Sequence, residues 1–364
     1  MMKNIFRVTL LLLVLLMALR GSAVYGQAQK SNRPVIDLQQ KLPTDPKITV
    51  GRLKNGLRYY IRENKKPEAR AELRLVVNAG SVLEDDDQRG LAHFVEHMAF
   101  NGTKHFAKQE IVDYLESIGM RFGPDINAYT SFDETVYMLQ VPTDTAEVLE
   151  TAFQILEDWA HNLSFDETEI DKERGVVIEE WRLGRGAAAR IRDKQFPILL
   201  KGSRYAERLP IGDKDVLEHA SYDALRRFYR DWYRPDLMAV VAVGDFDKEK
   251  IKKLVQRHFS RLKMPEHPRE RVLYPVPDNP GTLYAIASDP EATGNNVGVY
   301  FKLDVGEQQT AGAYRTSLIE SLYNRMLNNR LRELLKTPTP PFLVGFSSKG
   351  RFIRTKEFYV LGAS

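Results

Sequence analysis

The stretch GLAHFVEHMAFNGT, Gly90 to Thr103, sets two imidazoles and a carboxylate within five residues of an otherwise apolar run. Leu91 to Phe100 reads as a helix that is apolar nearly all round, and such a helix belongs in a core. His93 and His97 are four apart, so they sit about 40° from each other on one helical face. Glu96 falls on the same side. Burying three such groups without partners costs roughly 2 kcal/mol or more for each. Two core histidines bonded to backbone would be one resolution. A bound cation is another, because two imidazoles one turn apart can grip one metal ion. Glu96 could then face an open coordination position without filling it and take a proton from water there. The order H-x-x-E-H is the inverse of H-E-x-x-H and is the inverzincin pattern.

A catalytic zinc site draws a third ligand from another element. The segment DKERGVVIEEWRLG offers Glu173, Glu179 and Glu180. Glu173 and Glu180 are two turns apart and share a face, whereas Glu179 is rotated by about 100°. One of the pair would be the ligand and the other would hold a ligand in place. An exposed acidic helix is the plainer alternative.

The chain has 364 residues, room for two domains, and its 43% hydrophobic and 28% charged content is that of a folded protein. It has no cysteine, which removes disulfides and thiolate chemistry. Residues 1–26 have a basic start, an apolar run from Val8 to Leu19 and a small-residue exit, the layout of a signal peptide. That run is shorter than the ~20 residues of a comfortable bilayer span, so no stable membrane span is expected after its removal. Removal takes away Lys3, Arg7 and Arg20 and no acid, which lowers the basic count from 53 to 50 against 49 acids. Nothing then argues for nucleic acid as a partner.

Residues 27–45 are expected as an extended lead-in and 46–265 as the zinc-binding domain. Within it, Asn55–Gly56 marks a hairpin. AELRLVVNAGSV reads as a strand, Glu84–Asp87 as a solvated connector, and AKQEIVDYLESIGM as a helix. INAYTSFDETVYMLQVP reads as a hairpin turning at Ser131–Asp133. A helix capped by Asp144 or Thr143 follows, then the long acidic helix to Gly184 or Gly186. A helix stopped by Pro235, the strand LMAVVAVGDF and a last amphipathic helix close the unit. Residues 266–280 read as a proline-rich linker. Residues 281–364 read as a partial second unit with strands TLYAIAS and NVGVYFKLDV, a helix, and two further strands. The order is α+β rather than a regular βαβ alternation. His105 is expected in a surface loop, and Trp159, Trp181 and Trp232 in the core.

GLAHFVEHMAFNGT, NAYTSFDETVY, ERGVVIEEW and WYRPDLMAVVAVGDF, in that order, resemble the pitrilysin–insulysin family of zinc metallopeptidases. The resemblance runs over residues ~48 to 265 and then weakens. It implies an α/β-roll, a mixed sheet with helices packed on one side, followed by an incomplete second domain of related fold. It implies one Zn2+ held by His93, His97 and Glu180, with Glu96 as general base and Glu173 behind the ligands. Glu173 is the alternative third ligand. It also implies that the strand carrying Asn127, Ala128 and Tyr129 takes a peptide substrate as an added strand. A C-terminal half or partner subunit completes the family's enzymes. The expected function is an exported, periplasmic or secreted, zinc peptidase. The alternative is a catalytically silent zinc-binding or peptide-holding module that needs its other half.

Overall fold

The computed structural model describes residues 36–364. The expected signal peptide and the first part of the lead-in lie outside the described residues. Two compact units are distinguished. The described part of one comprises residues 36–42 and Glu307–Ser317. It is held by backbone bonds such as Leu42 N–H to Gln309 O (2.7 Å) and Ala311 N–H to Gln40 O (2.8 Å). The other comprises Pro43–Gly306 and Leu318–Ser364.

Among the described residues the larger unit contains a six-stranded mixed sheet in the order β1-β2-β6-β3-β5-β4. Its strands are β1 (Ile48–Arg52), β2 (Arg58–Glu63), β3 (Arg70–Val77), β4 (Ile126–Thr130), β5 (Thr135–Pro142) and β6 (Met238–Gly244). β2 and β6 are parallel and every other neighbouring pair is antiparallel. The Asn55–Gly56 hairpin forms as expected, with Gly56 at φ 101°. β3 shows why the sheet is covered on one face. Ala71, Leu73, Leu75 and Val77 are buried, while Glu72 and Arg74 between them are exposed. β4 is one of the two edge strands, paired with β5 on one side and bridged on the other at Ile126, to Phe122.

The first eight α-helices of the described residues are α1 (Leu91–Met98), α2 (Glu110–Ser117), α3 (Ala146–His161), α4 (Glu167–Leu183), α5 (Ala187–Leu199), α6 (Lys214–His219), α7 (Tyr222–Trp232) and α8 (Lys248–Phe259). Of these, α1, α3 and α8 pack against strands of the sheet. Asp166, Ser221 and Asp247 cap α4, α7 and α8 through their side chains. Trp159 of α3 is fully buried, and its indole N–H donates to Ala99 O at 2.8 Å, tying α3 to the end of α1.

Several expectations are corrected. The cap of α3 is Thr145, without a side-chain bond, and not Asp144 or Thr143. Residues 282–288, TLYAIAS, form no strand. Ile286 there is 93% exposed, and an alternating segment with no neighbour to pair with remains irregular. A second sheet, β7-β9-β8, is built from Val297–Leu303, Gly345–Ile353 and Lys356–Ala363, all antiparallel. The helix α9 (Ala311–Leu334) reaches β8 through Asn328, whose side chain donates to Ser347 O (2.9 Å) and accepts from Ser347 N–H (2.6 Å).

Glu84 is not solvated but wholly buried. α1 begins after Gly90, which has φ 99° and no side chain to cap the first turn. Glu84 Oε1 performs that task, accepting from Gly90 N–H (3.0 Å) and Ala92 N–H (2.8 Å). A Cβ on Gly212 would lie 2.4 Å from Gly90 Cα, so the two glycines let the 200–212 segment pass directly under this helix start. Burial pushes the Glu84 carboxyl from 4.5 up to about 8, against the pull of those backbone donors and of Arg204 and Arg208. Its proton is held more tightly folded than unfolded. The contribution to stability is therefore full below about 4.5 and fades as pH rises through about 8. Glu84→Ala should cost about 1–3 kcal/mol in urea unfolding through the orphaned helix start. Glu84→Gln keeps the acceptor, should cost less, and should flatten the fall in stability between pH 5 and 8.

Candidate metal centre

α1 packs against both the edge strand β4 and α4, and this brings the sequence motifs together. Arg174, in the middle of α4, fixes the approach. Its guanidinium donates to Ala220 O (3.0 Å), just after α6, and stands 5.8 Å over the Phe94 ring of α1. With α4 so placed, Glu173 and Glu180 both turn toward α1, as their two-turn spacing requires. Glu179 turns away and pairs with Arg182 at 2.6 Å.

His93 Nε2 and His97 Nε2 are 3.2 Å apart. Glu180 places Oε2 3.3 Å from His97 Nε2 and Oε1 3.7 Å from His93 Nε2. One ligand atom from each of the three residues lies within 4.8 Å of the others. A tetrahedron with arms of about 2.0–2.1 Å has edges of roughly 3.3–3.4 Å, so this donor set has the size and chemistry of a zinc site. On the far side of its ring, His97 Nδ1 is 2.7 Å from Glu173 Oε1. Asn101 donates to Glu173 Oε2 at 2.8 Å and to His97 O at 3.2 Å, a clamp that the sequence did not disclose.

The electrostatics fit a cation as well. Burial, reinforced by the charge of His97, holds His93 down at about 4. Burial also disfavours a charged His97, but its bonds to Glu173 and Glu180 outweigh that and lift it to about 9. Glu180 is lowered, chiefly by its bond to His97. The cleft thus favours one positive charge where the two rings meet.

Glu96 projects beside this cluster. Burial pushes its carboxyl up to about 7, against the lowering effect of a hydrogen bond from Thr130. Thr130 Oγ1 donates to Glu96 Oε2 at 2.6 Å, which leaves Oε1 toward the cleft. Asn127, Ala128 and Tyr129 line the same cleft from β4, with Asn127 and Tyr129 exposed. Its volume is about 730 Å³, and Phe100, Phe122, Pro210 and Ile211 complete its apolar walls. The first three histidines of the sequence therefore part company. His105 remains in a loop, its Nδ1 2.7 Å from the buried Asp158 Oδ1.

The Glu173 arrangement yields a direct test. Glu173→Gln should lower zinc affinity by about 10–100-fold, because the support behind His97 is weakened. Glu179→Gln, turned away from the site and paired with Arg182, should change it by less than about twofold. Competition titration with a chromogenic chelator measures both.

Comparison with known proteins adds independent information. Residues 59–184 match the family described as Insulinase (Peptidase family M16), and residues 219–335 match the Peptidase M16 inactive domain. A protein of Arabidopsis thaliana named Zinc protease PQQL-like is 41% identical over 311 residues, covering 84% of this chain and 32% of that protein. A Haemophilus influenzae relative named Probable zinc protease PqqL is 41% identical over 298 residues, covering 80% of this chain and 32% of its own length. The chain thus spans about a third of the length of these relatives. Among solved structures, the periplasmic protease PqqL from Escherichia coli superposes with a TM-score of 0.81 at 33% identity, over 89% of this chain and 36% of that one.

Proposed function

Because the chain belongs to peptidase family M16, the insulinase family of metallopeptidases, we propose that its 46–265 region cleaves peptide bonds at the cleft between α1, α4 and β4. His93, His97 and Glu180 would hold one zinc ion, and Glu173 would orient His97. When bound, zinc supplies a Lewis acid that polarises the scissile carbonyl and acidifies water. Glu96 is the general base. Its free Oε1 would take a proton from the attacking water and return it to the leaving amine. Thr130 fixes the other oxygen and so orients the base.

The peptide would lie along the free side of β4 as an added strand. Main-chain bonding of this kind gives affinity with little demand on sequence. Asn127, Ala128 and Tyr129 would form the rail, and Phe100 with Phe122, in edge contact at 5.5 Å, an apolar wall beside it. One observation carries the reading: His93, His97, Glu180, the Glu96 carboxyl and the outer edge of β4 all line a single cleft.

Export is part of the proposal. It rests on the leader-like first 26 residues and on the likeness to the periplasmic protease PqqL from Escherichia coli. Among the described residues no helix is long and apolar enough to cross a membrane.

The second reading is a module that holds zinc and peptide but depends on another half for turnover. The likeness to the first half of the periplasmic protease PqqL from Escherichia coli, at 32% identity, favours it. Purified protein freed of its leader, assayed on unfolded peptides with and without a chelator, separates the two. Chelator-sensitive cleavage supports the enzyme. Stoichiometric zinc and bound peptide without cleavage support the module.

A further inference from the structure

We propose that Arg354, in the tight turn between β8 and β9, is a positioning residue for the edge strand β4. The second sheet would thereby set the rail beside which a substrate lies. The significance for catalysis rests on the peptidase reading above; the geometric claim does not.

β4 has five residues, its one neighbouring strand is β5, and on its outer side Ile126 is bridged to Phe122, so its order depends on what holds its ends. Its last residue, Thr130, carries the hydroxyl that fixes Glu96. The chain then turns through residues 131–134 into β5. One side of this turn is bonded to the segment before α1: Ser81 N–H donates to Ser131 O (3.1 Å) and Val82 N–H to Phe132 O (2.9 Å). Gly80 permits that approach, since a Cβ there would lie 2.2 Å from Ser131 O.

The other side of the turn is held by side chains from remote parts of the sequence. The Asp133 carboxylate is buried. It accepts from Tyr205 Oη (3.0 Å) and from Arg271 Nη2 (2.9 Å), the latter contributed by the linker. Arg354 adds the contact from the second sheet. Its backbone N–H points at Asp133 Oδ2 (3.4 Å), and its Nη2 donates to Glu134 Oε2 at 2.6 Å. Its other terminal nitrogen reaches the side chain of Asn78, at the end of β3. One guanidinium thus bridges the turn after β4 and the end of the strand beyond β5. That planar fork is a geometry a lysine cannot reproduce. The β8–β9 turn is seated here by its neighbours as well. Thr355 Oγ1 donates to Tyr274 O (2.8 Å), and Phe352 packs edge-on against Phe196 of α5 at 5.3 Å.

Removing the Arg354 side chain leaves Asp133 satisfied by Tyr205 and Arg271, so the fold should survive while the turn loses its fork. Hydrogen exchange on the full chain tests the claim. In Arg354→Ala, the amides of Ile126–Thr130 bonded to β5 should exchange at least about tenfold faster, with β3 and β6 unchanged. Zinc uptake should stay within about twofold of the parent. Arg354→Lys should restore only part of the protection, and Glu134→Gln should loosen the same amides. If the parent cuts peptides, KM should rise more than kcat falls. Unchanged protection of β4 overturns the proposal, and so does an equal loss of protection throughout the sheet. The exchange readout decides even if no peptide is cleaved, whereas loss of zinc binding by the parent would count against the peptidase reading alone.

Discussion

Replacing His97 with alanine should lower zinc affinity by more than about 100-fold, beyond what is lost when only the support of a ligand is removed. The expectation follows from the position of this ring. One nitrogen faces His93 Nε2 at 3.2 Å and Glu180 Oε2 at 3.3 Å, while the other is engaged by Glu173 at 2.7 Å. The substitution removes a donor, unfastens the carboxylate behind it and leaves two acids facing a lone neutral imidazole. Zinc at a hundred times its dissociation constant should raise the parent's unfolding free energy by about 2.7 kcal/mol, and that increment should vanish in the variant. Without metal the variant should lose about 1–3 kcal/mol, because Glu173 keeps only its bond from Asn101. Elemental analysis after dialysis, with denaturant unfolding at fixed zinc, measures both effects. Undiminished stoichiometric zinc in the variant would remove the proposed centre.

Replacing Glu96 with glutamine should leave zinc binding and peptide binding near parental levels and reduce cleavage by about 10²–10⁴-fold. Glutamine can still accept from Thr130 through its amide oxygen, and its volume suits the same buried site. What it cannot do is take up a proton. The contrast with His97→Ala matters because the two substitutions are one residue apart on the same turn. One is expected to empty the site and the other to leave it filled but idle. Cleavage kinetics on an unfolded peptide, beside fluorescence titration of the same peptide, give the comparison. Cleavage at parental rate in Glu96→Gln would require a different base.

The cluster of His93, Glu96 and His97 was legible because helix periodicity turns spacing into direction. The same rule separated Glu173 and Glu180 from Glu179, and the structure brings the first two to the histidines. The strands around Asn55–Gly56 and Ser131–Asp133 were legible from alternation and turn chemistry. The rest depended on partners remote in sequence. Glu84 sits in an acidic run and resembles any solvated connector; only the fold reveals that the helix six residues later starts at a glycine and lacks a cap. α5 was unassigned, since its charges are dispersed and Pro197 stands in its last turn. TLYAIAS has the composition of a strand, but a strand exists only against a neighbour. Thr130 was visible as part of a motif, whereas its bond to Glu96 spans 34 residues and follows from the docking of α1 on β4.

The unpaired flank of β4 has a consequence for any guest that binds there. Such a flank can grip only a chain whose own amides and carbonyls are free in an extended run, and a helix or an internally paired strand offers neither. Under the peptidase reading, a compact protein would be cut no faster than it locally opens. Selection among the polypeptides it meets would then follow their looseness more than their spelling.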